Sequence, residues 1–236
     1  MTLKRLLFWL TIFSISMAYI ESATVVYLQK LYYPEGFSYP LKPMVDLFYG
    51  EMGREVATIF MLLSVGVLAG RTGLQKFAWF LFCFGLWDIF YYIWLVVLKG
   101  WPTSLFTRDI LFLIPVAWVG PVLAPVICSL GMMLLAGMIL HLYHLGYKPY
   151  VKPVEWVIML TGVFVIFVNF IWEYSSMIIA NGYWVNFFNL LQHDPFLKEI
   201  ANFVPDPFNW PVFIIGCLTT LSGMLMFYTR TRPTAG

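Results

Sequence analysis

Six separate stretches of this sequence are apolar and close to 20 residues long or longer, and they constrain the fold more than any other feature. A helix rises about 1.5 Å per residue, so such a stretch can cross the roughly 30 Å hydrocarbon core of a bilayer. The 236 residues are 61% hydrophobic and 11% charged, whereas a soluble domain is about 25% charged. We predict one all-α integral membrane domain over 1–236, with spans at about 6–28, 52–70, 77–98, 119–143, 154–180 and 210–228.

The segment between the third and fourth spans is apolar but interrupted by Pro115, Pro121 and Pro125. Proline inside a helix removes a backbone donor and clashes with the preceding turn. As a helix, residues 105–117 rise only about 20 Å, which is too short to cross a bilayer. We therefore predict that 105–117 forms a re-entrant or interfacial half-helix and not a seventh span.

The distribution of basic residues predicts the orientation of the chain. With six spans, eight of the 14 basic residues lie in short segments on one side, accompanied by Glu155 as the one acid. Short cytoplasmic segments are enriched in lysine and arginine, so both termini are predicted to be cytoplasmic. The first apolar stretch continues to about Leu28, beyond the length of a signal-peptide core, and we interpret it as a retained span. The eight residues are Lys4, Arg5, Arg71, Lys76, Lys148, Lys152, Arg230 and Arg232.

Four carboxylates inside the predicted spans are the first candidates for a binding site. Ionisable residues are costly within a membrane and usually face the interior of a helix bundle. Counted along each helix from a charged residue near the inner interface, Glu21 and Glu55 lie about 24 Å up, Glu173 about 27 Å and Asp88 about 18 Å. The sequence therefore predicts an acidic layer in the outer half of the membrane.

Other polar residues are expected at the same level. Arg54 is three residues after Glu51 and directly before Glu55, so it can pair with either, or reach across to Glu21 or Glu173. Two of these features also have a purely structural interpretation: Glu51–Arg54–Glu55 as an ion network at a helix start, and Asp109 as a helix cap. The candidates added to the four carboxylates are Arg54, Tyr92, Arg108, Asp109 and Asn169.

No cofactor is predicted from the sequence. His141 and His144 lie one turn apart, but no second histidine-bearing span faces them, which argues against haem or zinc. A divalent cation remains the one alternative, because Glu21, Asp88 and Glu173 would offer the oxygen ligands that Mg²⁺ or Ca²⁺ prefers.

Three functions are compatible with an acidic layer beside the aromatic segment Trp87–Trp94. The leading hypothesis is an outward-facing cavity that binds or translocates a cation or a small organic solute. One alternative is a membrane-embedded enzyme that acts on a lipid-like substrate with a carboxylate as general base, so enzymatic activity stays an open question. Another is a non-catalytic subunit or homo-oligomer whose small-residue stripe Gly216–Thr220–Gly223 contacts a partner helix. The net charge of +2 does not indicate nucleic-acid binding.

Four strings in the chain are distinctive: ESATVVYLQKLYYPEGF (Glu21–Phe37), WDIFYY (Trp87–Tyr92), GWPTSLFTRDILFLIPVAWVGPVLAP (Gly100–Pro125) and FNWPVF (Phe208–Phe213). Together they resemble a family of small polytopic prokaryotic membrane proteins of uncharacterised activity, and the resemblance extends over most of the chain. It implies a location in the prokaryotic cytoplasmic (inner) membrane and implies no activity.

Overall fold

The structure is a computed structural model, and it describes residues 2–33 and 45–232. Seven α-helices, one 3₁₀ helix and one β-hairpin make up this part of the chain. In chain order these are α1 (Leu3–Tyr32), α2 (Val45–Ala69), α3 (Gly73–Lys99), β1 (Arg108–Phe112), β2 (Trp118–Pro121), α4 (Leu123–His144), α5 (Pro153–Ala180), the 3₁₀ helix (Tyr183–Gln192), α6 (Asp194–Ile200) and α7 (Trp210–Thr231).

The six long helices confirm the six predicted spans. Each has at least 22 residues and is apolar enough to cross a membrane, so the chain is a multi-pass membrane protein. A helix suits this role because it satisfies its backbone N–H and C=O groups internally. Helix α2 begins earlier than predicted, at Val45 and not near Met52, and α4 begins later, at Leu123 and not near Val119, because residues 118–121 pair as a strand.

Residues 105–117 do not form the predicted helix, because this segment contains β1 and the turn that leads to β2. The re-entrant or interfacial position of the segment stays a prediction. The two strands are antiparallel, with Asp109 opposite Gly120 and Ile110 opposite Val119. Pro115 disfavours helical backbone at the residue before it and cannot donate to a helical hydrogen bond. Pairing between the strands supplies the backbone hydrogen bonds that a broken helix would lack.

Helix α3 lies at the centre of the bundle and packs against α1, α2 and α4. Its start is fixed by a capping box, in which the Thr72 hydroxyl accepts from the Gln75 N–H at 3.2 Å and the Gln75 side chain accepts from the Thr72 N–H at 3.3 Å. Its end is fixed by Gly100, which adopts the left-handed conformation with φ 69°. These signals set which residues of α3 face the neighbouring helices.

Helices α5 and α7 pack closely through small residues. A Cβ at Gly162 of α5 would lie 2.6 Å from the Gly216 carbonyl oxygen of α7, and one at Gly223 would lie 2.7 Å from the Met159 side chain. Small residues allow helix backbones to approach in this way inside membranes. The stripe Gly216–Thr220–Gly223 is therefore covered by α5 of the same chain, which removes it as a contact surface for a partner helix.

Changing Gly162 to alanine is expected to destabilise the protein by about 2 kcal/mol, because the added methyl overpacks the contact between two backbones. Gly137→Ala in α4 is the matched control, since a Cβ there meets nothing within 4 Å and alanine favours the helix by up to about 1 kcal/mol. Unfolding in mixed micelles with increasing SDS measures both variants. Equal stability of Gly162→Ala and wild type would contradict the close packing.

Candidate functional site

The first two residues of β1 line different cavities, and the rest of the strand, as far as Phe112, lines the same cavity as Asp109. Arg108 lines a small cavity, whereas Asp109 lines a large one. Across the hairpin, a Cβ at Gly120 would come within 2.9 Å of the Phe170 ring, so glycine at this position allows α5 to pack directly on β2. The hairpin is therefore a thin wall between two cavities.

The large cavity has a volume of about 630 Å³, within the roughly 300–1,000 Å³ that is typical of small-molecule sites. Helices α1, α2 and α3 form one side, and the hairpin, α5, the 3₁₀ helix and α6 complete it. Among the described residues, its charged lining consists of five carboxylates and one guanidinium: Glu21, Glu51, Glu55, Asp88, Asp109 and Arg54. Its apolar and aromatic lining includes Val25, Leu28, Phe48, Trp87, Tyr91, Tyr92, Ile178 and Phe196.

Arg54 pairs with two of these carboxylates. Its Nη1 pairs with Glu21 Oε1, and its Nη2 lies 2.7 Å from Glu51 Oε2, one helical turn earlier on α2. The Thr58 hydroxyl donates to the other oxygen of Glu21 at 3.0 Å. Glu21 and Glu51 are therefore held by a shared counter-charge, which ties α1 to α2 at the cavity wall.

The other three carboxylates accept hydrogen bonds from neutral groups. Both oxygens of Glu55 accept from the Leu113 backbone N–H, at 3.1 and 2.9 Å. Asp88 accepts from the Ser129 hydroxyl of α4 at 2.7 Å. Asp109 accepts from the Tyr92 hydroxyl at 3.1 Å and from the N–H of the next residue at 2.9 Å.

No positively charged nitrogen of the described chain lies within 4.0 Å of Glu55, Asp88 or Asp109. All three side chains are buried, between 5% and 8% exposed. These three carboxylates lie together at the wall of the large cavity. Each accepts hydrogen bonds, and no cation of the described chain contacts any of them.

Burial raises the pKa of Asp109 to about 7. The hydrogen bonds from Tyr92 and the Ile110 N–H lower it in part, and the nearby carboxylate of Asp88 raises it. A carboxyl group with this pKa exchanges its proton near neutral pH, where an acid–base or ligand-coupled role is chemically accessible.

The small cavity, of about 260 Å³, lies between the hairpin, α5 and the segment that leads to α7. Three predicted site residues line it: Arg108, Asn169 and Glu173. Each is bonded to the backbone of that segment. Arg108 donates to the Pro205 carbonyl, Asn169 donates to the Asn209 carbonyl at 3.3 Å, and Glu173 accepts from the Asp206 N–H at 3.2 Å.

The predicted acidic layer is thus divided. Six candidates line the large cavity, namely Glu21, Arg54, Glu55, Asp88, Tyr92 and Asp109, and three line the small one, namely Arg108, Asn169 and Glu173. The weak metal set of Glu21, Asp88 and Glu173 is not brought together, and no group of three metal-ligating side chains occurs in the parts of the chain that the structure describes. Glu51 also lines the large cavity, whereas the sequence predicted it only as part of an ion network at a helix start. Its spacing of three from Arg54 was the available signal.

The fold and the large cavity define a multi-pass helical membrane protein with an acidic, aromatic-lined interior site. Comparison with known protein families, with curated proteins and with solved structures finds no match to this chain. The membrane location implied by the sequence resemblance therefore stays a prediction, and the site must be interpreted from its own chemistry.

Proposed function

We propose that this protein binds an organic cation in the large cavity. The observation that supports this most is the group of three buried carboxylates, Glu55, Asp88 and Asp109, none of which has a cation of the described chain within 4.0 Å. Arg54, the residue before Glu55, interacts with it only at longer range and is paired with Glu21 and Glu51. A buried carboxylate without a counter-charge is costly, and within a membrane such residues usually serve a ligand, an ion or a proton. A cationic solute in the cavity supplies the counter-charge.

Elsewhere in the same fold, a buried carboxylate is neutralised by an ion pair. Glu155, at the start of α5, is fully buried, and the Arg230 guanidinium contacts both of its oxygens, at 2.5 and 3.0 Å. The paired geometry is the arrangement expected for a structural ion pair. The three unpaired carboxylates of the large cavity differ from it, and this contrast favours a ligand role for them.

The cavity lining favours an organic cation over a metal ion. Calcium takes about six to eight oxygen ligands and magnesium demands near-octahedral geometry, whereas these carboxylates bond separately to Leu113, Ser129 and Tyr92. Aromatic rings of Trp87, Tyr91 and Tyr92 line the same space, and aromatic faces attract cations. The remaining apolar walls suit an alkyl or aromatic body.

The proposed orientation has both termini in the cytoplasm, in a prokaryotic inner membrane. It is supported by the concentration of lysine and arginine at one set of helix ends and by the sequence resemblance. The large cavity is lined by the C-terminal half of α1, from Glu21 to Gln29, and by Tyr33 directly after the helix. In this orientation that half is the outer half, so the cavity faces outward.

Binding of tetraphenylphosphonium to the purified protein, measured by isothermal titration calorimetry, tests the proposal. We expect wild type to bind this apolar aromatic cation. Asp109→Asn and Glu55→Gln, which remove one charge each at nearly constant volume, are expected to weaken binding at least about tenfold, or about 1.4 kcal/mol.

Glu173→Gln is the matched control, because it removes a carboxylate from the small cavity on the other side of the hairpin and is expected to leave the affinity unchanged. Thermal unfolding of each variant establishes that the fold is retained. Unchanged affinity in both Asp109→Asn and Glu55→Gln, with the fold intact, would show that the large cavity does not bind the cation through its carboxylates.

A further inference from the structure

The small cavity is a separate site, and we propose that it binds an ammonium–phosphate zwitterion of the phosphoethanolamine class. Its volume of about 260 Å³ equals the liquid volume of roughly nine water molecules, at about 30 Å³ each. That space suits a compact polar group and not a whole lipid. The site is independent of the proposed function of the large cavity.

Opposite charges line this cavity without contacting each other. Arg108 is on one wall, and Glu173 and Asp206 are on the others. In the described chain no carboxylate oxygen lies within 4.0 Å of the Arg108 guanidinium. The peptide unit that joins Pro205 and Asp206 lies between Arg108 and Glu173, since its carbonyl accepts from Arg108 and its N–H donates to Glu173. A ligand that carries both charges can place its anion at Arg108 and its cation at the carboxylates.

Bonds to the backbone hold the charged groups apart. Arg108 donates from Nη1 to the Pro205 carbonyl, and one oxygen of Glu173 accepts from the Asp206 N–H. The first bond uses one of the five guanidinium N–H groups, and the second uses one of the two carboxylate oxygens. Asn169, which is 9% exposed, adds a carboxamide to the same wall. The site is therefore organised before a ligand arrives.

The two ends of the ligand follow from the groups present. A planar guanidinium forms charge-assisted hydrogen bonds to phosphate oxygens, and a primary ammonium donates its three N–H groups to carboxylates and carboxamides. Trp172 lies at the edge of the cavity and is 60% exposed, and tryptophan prefers the headgroup level of a membrane. A phosphatidylethanolamine headgroup and free glycerophosphoethanolamine share this chemistry.

Native mass spectrometry of the full chain in detergent, with added dihexanoyl lipids, tests the site. We expect the phosphatidylethanolamine form to bind at least tenfold more tightly than the phosphatidylcholine form, whose quaternary ammonium has no N–H, and than the phosphatidylglycerol form, which has no ammonium. Free glycerophosphoethanolamine distinguishes the sources. If glycerophosphoethanolamine binds as tightly as the phosphatidylethanolamine form, the ligand is a soluble zwitterion. If it binds more weakly, the ligand is the lipid headgroup.

Arg108→Gln and Glu173→Gln are each expected to lower the affinity for the phosphatidylethanolamine form at least tenfold. Val168→Phe is expected to do the same, because it fills the cavity without a change in charge. It leaves the bonds of Arg108 and Glu173 to the Pro205–Asp206 backbone in place, so it separates loss of the cavity from loss of those bonds. Asp194→Asn, on α6 and outside the cavity, is the control. Equal binding of the three lipids, or unchanged binding in Val168→Phe, would overturn the proposal and leave Arg108 and Glu173 as anchors of the loop alone.

Discussion

Changing Arg54 to methionine is expected to destabilise the protein by about 3 kcal/mol, because it leaves two carboxylates in a largely buried wall without their counter-charge. Arg54 is the shared partner of Glu21 and Glu51, and the side chains of these three residues are between 9% and 23% exposed. Removing one member of a buried ion pair costs more than the pair contributes, since the remaining charge has lost both water and partner.

A charge-neutral rescue separates this effect from lost packing. Adding Glu21→Gln and Glu51→Gln to Arg54→Met is expected to recover most of the stability, because no uncompensated carboxylate remains. Arg71→Met, at an exposed position between α2 and α3, is the control and is expected to stay close to wild type. Unfolding by SDS in mixed micelles measures all three. Equal stability of Arg54→Met and Arg71→Met would contradict the ion-pair network.

Affinity for tetraphenylphosphonium is expected to fall about tenfold for each unit of pH below about 7 and to level off above it. Burial raises the pKa of Asp109 to about 7, so below this pH the free site holds a proton that the cation must displace. Above it the carboxylate is ionised and available. The sign is therefore tighter binding at higher pH, with about a hundredfold loss at pH 5 relative to the plateau above pH 7.

The Asp109→Asn variant identifies the group responsible. It is expected to bind weakly at all pH values and to show a smaller dependence near pH 7, since its carboxamide does not titrate whereas Glu55 and Asp88 of the same cavity still do. Calorimetric titrations at half-unit intervals from pH 5 to pH 8 measure both proteins. The same pH dependence in Asp109→Asn and wild type would assign the proton to another group.

The spans could be predicted because length and composition alone decide whether a helix can cross a bilayer. The segment 105–117 could not, because a short apolar run does not distinguish helix from strand by periodicity. Its conformation depends on contacts far away in sequence: β1 needs β2 for pairing, and the N–H of Leu113 needs Glu55 of α2 as acceptor. Proline predicted that the helix would break, but not what replaces it.

The division of the candidate residues between two cavities also could not be predicted from the sequence. Counting residues along a helix gives the height of a carboxylate in the membrane, but not its direction around the bundle. Glu173 has the height of Glu21 and faces a different cavity. Arg108 and Asp109 are adjacent in the chain, and the extended conformation of β1 places them in different cavities.

The position of Arg108 and Asp109 in different cavities has a thermodynamic consequence. Because Arg108 and Asp109 share one peptide unit, a displacement of β1 by a solute in the large cavity also displaces the guanidinium in the small one. Two ligands that favour the same strand position each tighten the binding of the other, and by the same factor. Two ligands that favour different positions each weaken the other, again equally. A solute that displaces β1 in one cavity is therefore expected to change the affinity of the other cavity for its ligand.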